Sequence, residues 1–328
     1  MAMGAGGRQR EASFAGGCYG LSTMREKEQV AAAKDGVLAL QQGDLATLVV
    51  TGADRITWLN GLLTCDLVKR APGTAVYGLA VGRNGRVLAD ATVVFDDEGE
   101  RALLVVPAAV ADALRAHMEH YLVMEDAEMV PGTDAFTAWA LHGPRSSEAL
   151  EAARRVGAYG GTVDRTGLGG ALVLAPMERA AEVAAALTGV ATVGDAAGWD
   201  ALRLERAVPR FGVDFDGQTY PQEAGLEKTA VSFDKGCYLG QEVVCMLQMR
   251  GHVKRKLAAV VLEATDAPLA GAAVTDESGA AVGEVTSAAP SPTLGKTVAL
   301  AMIKRAQAEP GKGVLVGGAR GEVVERPA

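Results

Sequence analysis

Apolar and polar positions along the chain alternate with two periods, one near two residues and one near 3.6, which separate strands from helices. Residues 26–34 follow the helical period. Residues 36–40 and 46–51 read as two strands joined by the turn Gln42-Gly43-Asp44. Thr51 or Asp54 then caps a short helix running through Leu63. Residues 77–81, 87–95 and 102–106 alternate as strands, and Asn84-Gly85 in the first connection is hairpin chemistry that supplies a positive φ. Pro107 ends the third strand, and residues 108–122 carry a helical pattern. A second stretch repeats the theme, with strands at 137–142 and 172–175 and helices at 145–156, 178–187 and 200–208. Gly160-Gly161 and residues 167–170 read as turns between strands. This mixture predicts an α+β body, and the absence of G-x-G-x-x-G after a strand removes the usual dinucleotide fingerprint.

Beyond Lys256 the texture changes. Short strands at 257–263, 271–276, 283–287, 297–303 and 313–316 are punctuated by Pro268, Pro290-Ser291-Pro292 and Pro310-Gly311. Regular short strands with Gly and Pro turns predict a small β-barrel or sandwich. The expected division is a disordered leader over 1–23, α+β domains over 24–130 and 131–256, and a β-barrel over 257–328.

Composition narrows the class. The chain has 328 residues, 49% hydrophobic and 22% charged, which is a folded protein of two or three domains. Aromatics make up only 5%, so the core rests on aliphatics. Four cysteines are too few for a disulfide scaffold and point to a reducing cytoplasm. A net charge of −8 argues against nucleic acid as the main partner. No apolar stretch approaches the ~20 residues of a spanning helix. Residues 1–23 lack the apolar segment of a secretory signal, and Met24 is an alternative start.

The densest unusual segment is Asp234-Lys235-Gly236-Cys237-Tyr238-Leu239-Gly240-Gln241-Glu242. Gly236 and Gly240 bracket Cys237 and allow a tight turn that puts the thiol at a loop-to-helix junction, with Gln241 and Glu242 in the first helical turn. A helix N-terminus and the nearby Lys235 both favour a thiolate. The same residues also make a plain turn with a small buried cysteine, and spacing alone leaves both readings open. Cys65, Cys237 and Cys245 lack C-x-x-C spacing, so no stably bound metal or cluster is expected. Trp58, Trp139 and Trp199 read as core or pocket-wall residues.

Residues 235–242 resemble the K-G-C-[FY]-x-G-Q-E signature of the YgfZ-type folate-binding proteins. These assist iron–sulfur cluster assembly or repair and belong to the superfamily of the glycine-cleavage T protein, an aminomethyltransferase. Pro221-Gln222-Glu223-Ala224-Gly225-Leu226 is similar to the superfamily's P-x-E-A-G-L segment. The run from Arg250 to Leu257 is similar to the stretch ending in K-R-x-L before the last domain. Val50-Thr51-Gly52-Ala53-Asp54 and Gly61-Leu62-Leu63-Thr64-Cys65-Asp66 extend the likeness into the N-terminal half, so that it covers about residues 30–320.

The resemblance implies a ring of three domains around a folate-filled hole, with ferredoxin-like α+β units and a C-terminal β-barrel. Tetrahydrofolate or a derivative is the implied cofactor. Glu223 takes the place of the glutamate that grips the pterin edge, Arg255 that of an arginine facing the glutamyl carboxylate, and Asp90 that of the carboxylate near the reacting nitrogen. In the T protein that last group ends a G-x-x-x-D-D run; here the run is Gly85-Arg86-Val87-Leu88-Ala89-Asp90. A T-protein asparagine in the following strand is also replaced, by Val105-Val106-Pro107. Both departures favour an accessory protein with a functional thiol at Cys237 over a classical enzyme, with Lys235 and Gln241 shaping its surroundings and Asp90 as the second reactive group. The alternatives are a folate-dependent aminomethyltransferase of the glycine cleavage system and a folate-dependent tRNA-modifying factor that uses the basic run at 250–256. Iron–sulfur clients or assembly proteins are the expected partners, with a monomer favoured and no membrane association.

Overall fold

The structure, a computed structural model, describes residues 16–70, 73–96 and 99–328. The expected leader falls outside the described residues up to position 15, and from Gly16 onward the chain is already helical. Helix α1 (Gly16–Asp35) leads into β1 (Leu38–Gln42), β2 (Leu45–Thr51) and α2 (Arg55–Leu62). Strands β3 (Val76–Val81), β4 (Val87–Phe95) and β5 (Ala102–Pro107) precede α3 (Ala111–Glu119) and β6 (Glu128–Pro131). Then come β7 (Phe136–His142), α4 (Ser146–Arg154), β8 (Tyr159–Thr162), β9 (Gly170–Pro176), α5 (Ala180–Thr188), β10 (Thr192–Val193) and α6 (Ala196–Glu205). Residues 206–240 form a long irregular segment ending at α7 (Gln241–Met249).

Two five-stranded sheets form the body, one ordered β3-β4-β5-β2-β6 and the other β10-β1-β7-β9-β8. They face each other across Val94, Leu103, Val105, Leu172 and Leu174. The outer face of the first carries α2 and α3 over a core that includes Leu48, Leu59, Leu104 and Met118. The outer face of the second carries α4 and α5 over Leu141, Leu150, Val173 and Leu187. Alternate residues of β4, β5, β7 and β9 thus feed an inter-sheet layer and a helix-covered layer, which explains why these strands are apolar on both sides. β1 pairs antiparallel with β7, Leu38 opposite His142, although it precedes β2 of the other sheet. A division at residue 130 therefore cuts across the sheets.

The C-terminal part closes into a six-stranded barrel from β11 (Arg255–Leu262), β12 (Ala273–Thr275), β13 (Ala281–Ser291), β14 (Lys296–Lys304), β15 (Gly313–Val316) and β16 (Ala319–Val324). It docks on the body through buried polar groups as well as Leu204, Leu257 and Leu300. The Glu205 carboxylate, wholly buried at the end of α6, accepts from Ser291 Oγ at 2.6 Å, Thr293 N at 3.0 Å and Lys34 Nζ at 3.2 Å. The Asp214 carboxylate binds Arg203 at 2.8 Å and accepts from Ser287 Oγ at 2.5 Å.

Several expectations need correction. Gly160-Gly161 are no turn but the middle of β8, where a Cβ on Gly160 would run into the Leu172 carbonyl and one on Gly161 into the Thr74–Ala75 backbone. β13 continues through Pro290-Ser291, and β16 supplies the strand that closes the barrel. Asp54 stands at the N-cap of α2 without a side-chain cap; its carboxylate instead accepts from Asp126 N at 2.9 Å. The helix expected over 108–122 is a 3-10 turn followed by the shorter α3.

Candidate functional site

β4 alternates its side chains across the first sheet, which sends Asp90 into a cavity of about 130 Å³ between the two sheets and residues 199–211. Tyr77 on the neighbouring strand donates its hydroxyl to Asp90 Oδ2 at 3.1 Å. Arg165, from the loop between β8 and β9, lies 3.6 Å from the same oxygen. Its guanidinium also sits 4.4 Å from the centroid of the Tyr77 ring. Burial pushes the Tyr77 phenol far above its ordinary pKa, with Arg165 acting in the opposite direction, so the hydroxyl stays a donor. Among the described residues no hydrogen bond reaches Asp90 Oδ1.

The rest of the cavity wall is largely apolar, with Val105, Val106 and Leu172 beside the rings of Trp199 and Phe211. His142 joins it from the end of β7. A second, larger cavity of about 900 Å³ shares Tyr77, Arg165 and Pro209 with the first and is bounded by β11, Leu300 and Val324 of the barrel. The two spaces meet at Arg165, where the body faces the barrel.

Glu223 and Arg255 sit elsewhere. Glu223 is 7% exposed; it accepts from Tyr220 N at 3.0 Å and from Arg255 Nε at 3.1 Å. The two residues whose resemblance implied a grip on a ligand hold each other, and neither lines either cavity. Lys256 is similarly 3.9 Å from Glu227. Two of the four cations in the basic run are thereby matched with carboxylates, which weakens the run as a phosphate-binding surface.

The Cys motif folds against the β3–β4 hairpin. Gly240, at φ +78°, precedes α7, and a Cβ there would collide with the Gly82 carbonyl oxygen. Gly236 has open space around its Cα and no left-handed backbone, so Gly240 alone carries the turn's requirement. Lys235 is 8% exposed and its ammonium points inward, donating to the carbonyls of Asn60, Leu63 and Cys65 at 2.6, 2.8 and 2.6 Å. Burial draws its pKa down to about 8, which still leaves it protonated at neutral pH. The expectation that Lys235 tunes Cys237 is corrected accordingly: the cation is held by backbone carbonyls at the end of α2. Tyr238 is buried among Tyr77, Leu79 and Phe215, whereas Cys237 is exposed and lines neither cavity. Gln241 Nε2 lies 3.5 Å from the Gly236 carbonyl, and Glu242 is exposed. Cys65 is buried, and burial raises its thiol to about 11. Among the described residues no three His, Cys, Asp or Glu side chains gather as a metal site.

A buried carboxylate with one oxygen engaged, a largely apolar wall with two aromatic side chains and a neighbouring guanidinium suit a planar, polar-edged heterocycle carrying an anionic extension. Sequence reasoning placed Asp90 but missed Tyr77, Arg165 and His142. Arg165 lies in a loop with no motif, and His142 reads as an ordinary strand residue.

The fold and cavity define a two-sheet α/β body with a C-terminal six-stranded barrel. Residues 18–158 match the GCVT N-terminal domain and residues 255–327 the glycine cleavage T-protein C-terminal barrel domain. The chain belongs to the glycine-cleavage T-protein (aminomethyltransferase) family. It is 30% identical to the aminomethyltransferase of Thermotoga neapolitana, over 89% of this chain and 85% of that protein. It is 29% identical to that of Streptomyces coelicolor, over 91% and 86%, and 31% identical to the mitochondrial enzyme of Gallus gallus, over 80% and 73%. The crystal structure of glycine cleavage system aminomethyltransferase T from Bartonella henselae superposes with a TM-score of 0.79 at 22% identity, covering 92% of this chain and 89% of that one, which establishes the shared fold.

Proposed function

We propose that the chain binds a reduced folate in the Asp90 cavity and uses it in aminomethyl transfer, the activity named for its relatives. The observation that carries this reading is the Asp90 carboxylate, 9% exposed, held on Oδ2 by Tyr77 and Arg165 at the wall of a largely apolar cavity. A bound tetrahydrofolate supplies the nucleophilic nitrogen that accepts the one-carbon unit. Asp90 accepts a hydrogen bond from the ligand on Oδ1, while Tyr77 and Arg165 engage Oδ2 and fix the carboxylate's orientation. Arg165, at the junction with the larger cavity, faces the anionic extension. Glu223 and Arg255 would reach a ligand only by parting from each other. Ala89 leaves Asp90 as the sole acid of its run, and Val105-Val106 offer no side-chain amide beside it.

A second reading, the YgfZ-type accessory role in iron–sulfur protein maturation, is favoured by one observation: the motif's thiol, Cys237, is exposed and outside the cavity. There the folate occupies the same cavity while the thiol faces a protein partner.

Calorimetric titration of tetrahydrofolate into the full chain and into D90N tests the shared part. Wild type binds and D90N binds about tenfold more weakly, as expected for a lost charge-assisted hydrogen bond; equal affinities would remove Asp90 from the site. Folate-dependent ammonia release from an aminomethyl-loaded carrier protein then separates the readings. Turnover that is lost in D90N and kept in C237S supports transfer. Absent turnover, together with failure of C237S to restore cluster-enzyme activity in a strain lacking its own factor, supports the accessory role.

A further inference from the structure

His142 is a side chain at the cavity whose polar atoms are both buried and unpartnered among the described residues. It ends β7, opposite Leu38 of β1 and Gly170 of β9, so its backbone serves the sheet while its ring joins the cavity wall. The residue is 6% exposed, and among the described residues both buried ring nitrogens lack a hydrogen-bond partner. Trp199 stacks on the imidazole, with centroids 4.6 Å apart and planes within 11°. That contact fixes the ring's orientation and covers one face, but it supplies no partner for the nitrogens. Burial, reinforced by Arg165, holds the imidazole pKa down near 4, so the ring is neutral. A neutral imidazole presents one N–H donor and one lone-pair acceptor, and buried polar groups in native proteins are normally paired.

We propose that His142, backed by Trp199, is a recognition residue of the Asp90 cavity for a flat heterocycle with an amide-type edge, as in the reduced pterin of a folate. The inference rests on the folate reading above and deepens it. Asp90 is an acceptor alone, suited to an edge rich in N–H groups, whereas His142 offers a donor and an acceptor to an edge that carries both. The two side chains line the same cavity, and together they discriminate a ring with two unlike edges from a purely apolar one.

The test uses the full chain, ¹⁵N-labelled on histidine and titrated with tetrahydrofolate. The ring-nitrogen resonances of His142, assigned by their loss in H142F, shift on binding, and Trp199 fluorescence changes with the same midpoint. H142F, which keeps a flat ring but has no nitrogens, binds about tenfold more weakly. H142Q, whose amide carries a donor and an acceptor, recovers most of the affinity. Wild-type binding with unmoved His142 nitrogens overturns the inference and leaves the folate reading standing. No wild-type binding overturns both. If H142F fails to fold, assignment passes to H142Q and the wild-type shift decides.

Discussion

Replacing Lys235 with methionine removes an ammonium but keeps most of the side chain's volume, so the change acts on hydrogen bonds rather than on packing. The carbonyls of Asn60, Leu63 and Cys65 lose donors at 2.6, 2.8 and 2.6 Å. Asn60 and Leu63 stand at the C-terminal end of α2, where carbonyls lack helical partners and positive charge is favoured. A hydrogen bond from a charged donor contributes about 1.5–3 kcal/mol, which puts the gross loss at roughly 4–9 kcal/mol. Relief from burying the ammonium, the desolvation that draws its pKa to about 8, offsets on the order of 3 kcal/mol. A net destabilisation of about 3 kcal/mol follows, near the low end of the range for breaking a buried ionic contact. Urea unfolding read on tryptophan fluorescence measures it, with Trp58 of α2 next to the lost contacts. The midpoint falls by about 1 M with the slope unchanged. A midpoint within ~0.2 M of wild type would refute the reasoning. If Cys237 alkylation also slowed in that variant, the lysine would act on the thiol and not on the fold.

Other consequences can be measured in the same way. For Glu205, burial pushes the carboxyl upward, but hydrogen bonds from Ser291 and Thr293 and the charge of Lys34 outweigh it and hold the pKa below the ordinary value. The unfolded chain therefore binds the proton more readily, and the stabilisation is complete above the unfolded pKa of ~4.3 and disappears as pH falls through the folded value. E205Q accordingly loses about 2–4 kcal/mol at pH 7 by urea unfolding, and the gap to wild type narrows at pH 3.5; a pH-independent gap would contradict the assignment. The two motif glycines separate cleanly. G240A, which puts a Cβ on a φ of +78° and against the Gly82 carbonyl, costs about 2–3 kcal/mol, while G236A stays within about 0.5 kcal/mol. Equal effects in thermal melts would refute the distinction.

What could be read from the sequence followed local chemistry. The β3–β5 strands and the Asn84-Gly85 turn were legible because alternation and a positive-φ glycine are short-range signals; Gly85 does adopt φ +74°. The barrel's last strand was not, because Ala319-Arg320-Gly321-Glu322 precedes only two apolar residues, Val323 and Val324, and the segment becomes a strand by pairing with β11 and β15. β8 was missed for a related reason. Its glycines are selected by close backbone approach to the Thr74–Ala75 backbone and the Leu172 carbonyl, and such long-range contacts leave no periodic trace. In the site, Asp90 was legible by its place in a resembling run. Tyr77, Arg165 and His142 converge only through the packing of two sheets whose strands interleave along the chain.

The Cys motif shows how a specific signal can carry two meanings. As sequence, Lys235 to Glu242 and Gly61 to Asp66 are separate runs. In the fold they are the two halves of one interface. Lys235 binds carbonyls of the 60–65 segment, Leu239 N donates to Gly61 O at 2.9 Å, and Ser232 N donates to Thr64 O at 2.9 Å. Thr64 Oγ1 donates in turn to Ala230 O at 2.6 Å and accepts from Leu79 N at 2.9 Å, which carries the contact into β3 beside Tyr77. The lysine, the second glycine and the tyrosine are thus accounted for by holding this loop on the strand pair that presents Asp90. Those three residues need no thiol chemistry to explain them. Cys237 is different: its thiol is free and exposed, and among the described residues it forms no disulfide. A functional role for the motif therefore has to rest on that sulfur, which is why the C237S variant, and no other substitution in the run, separates the two readings of this protein.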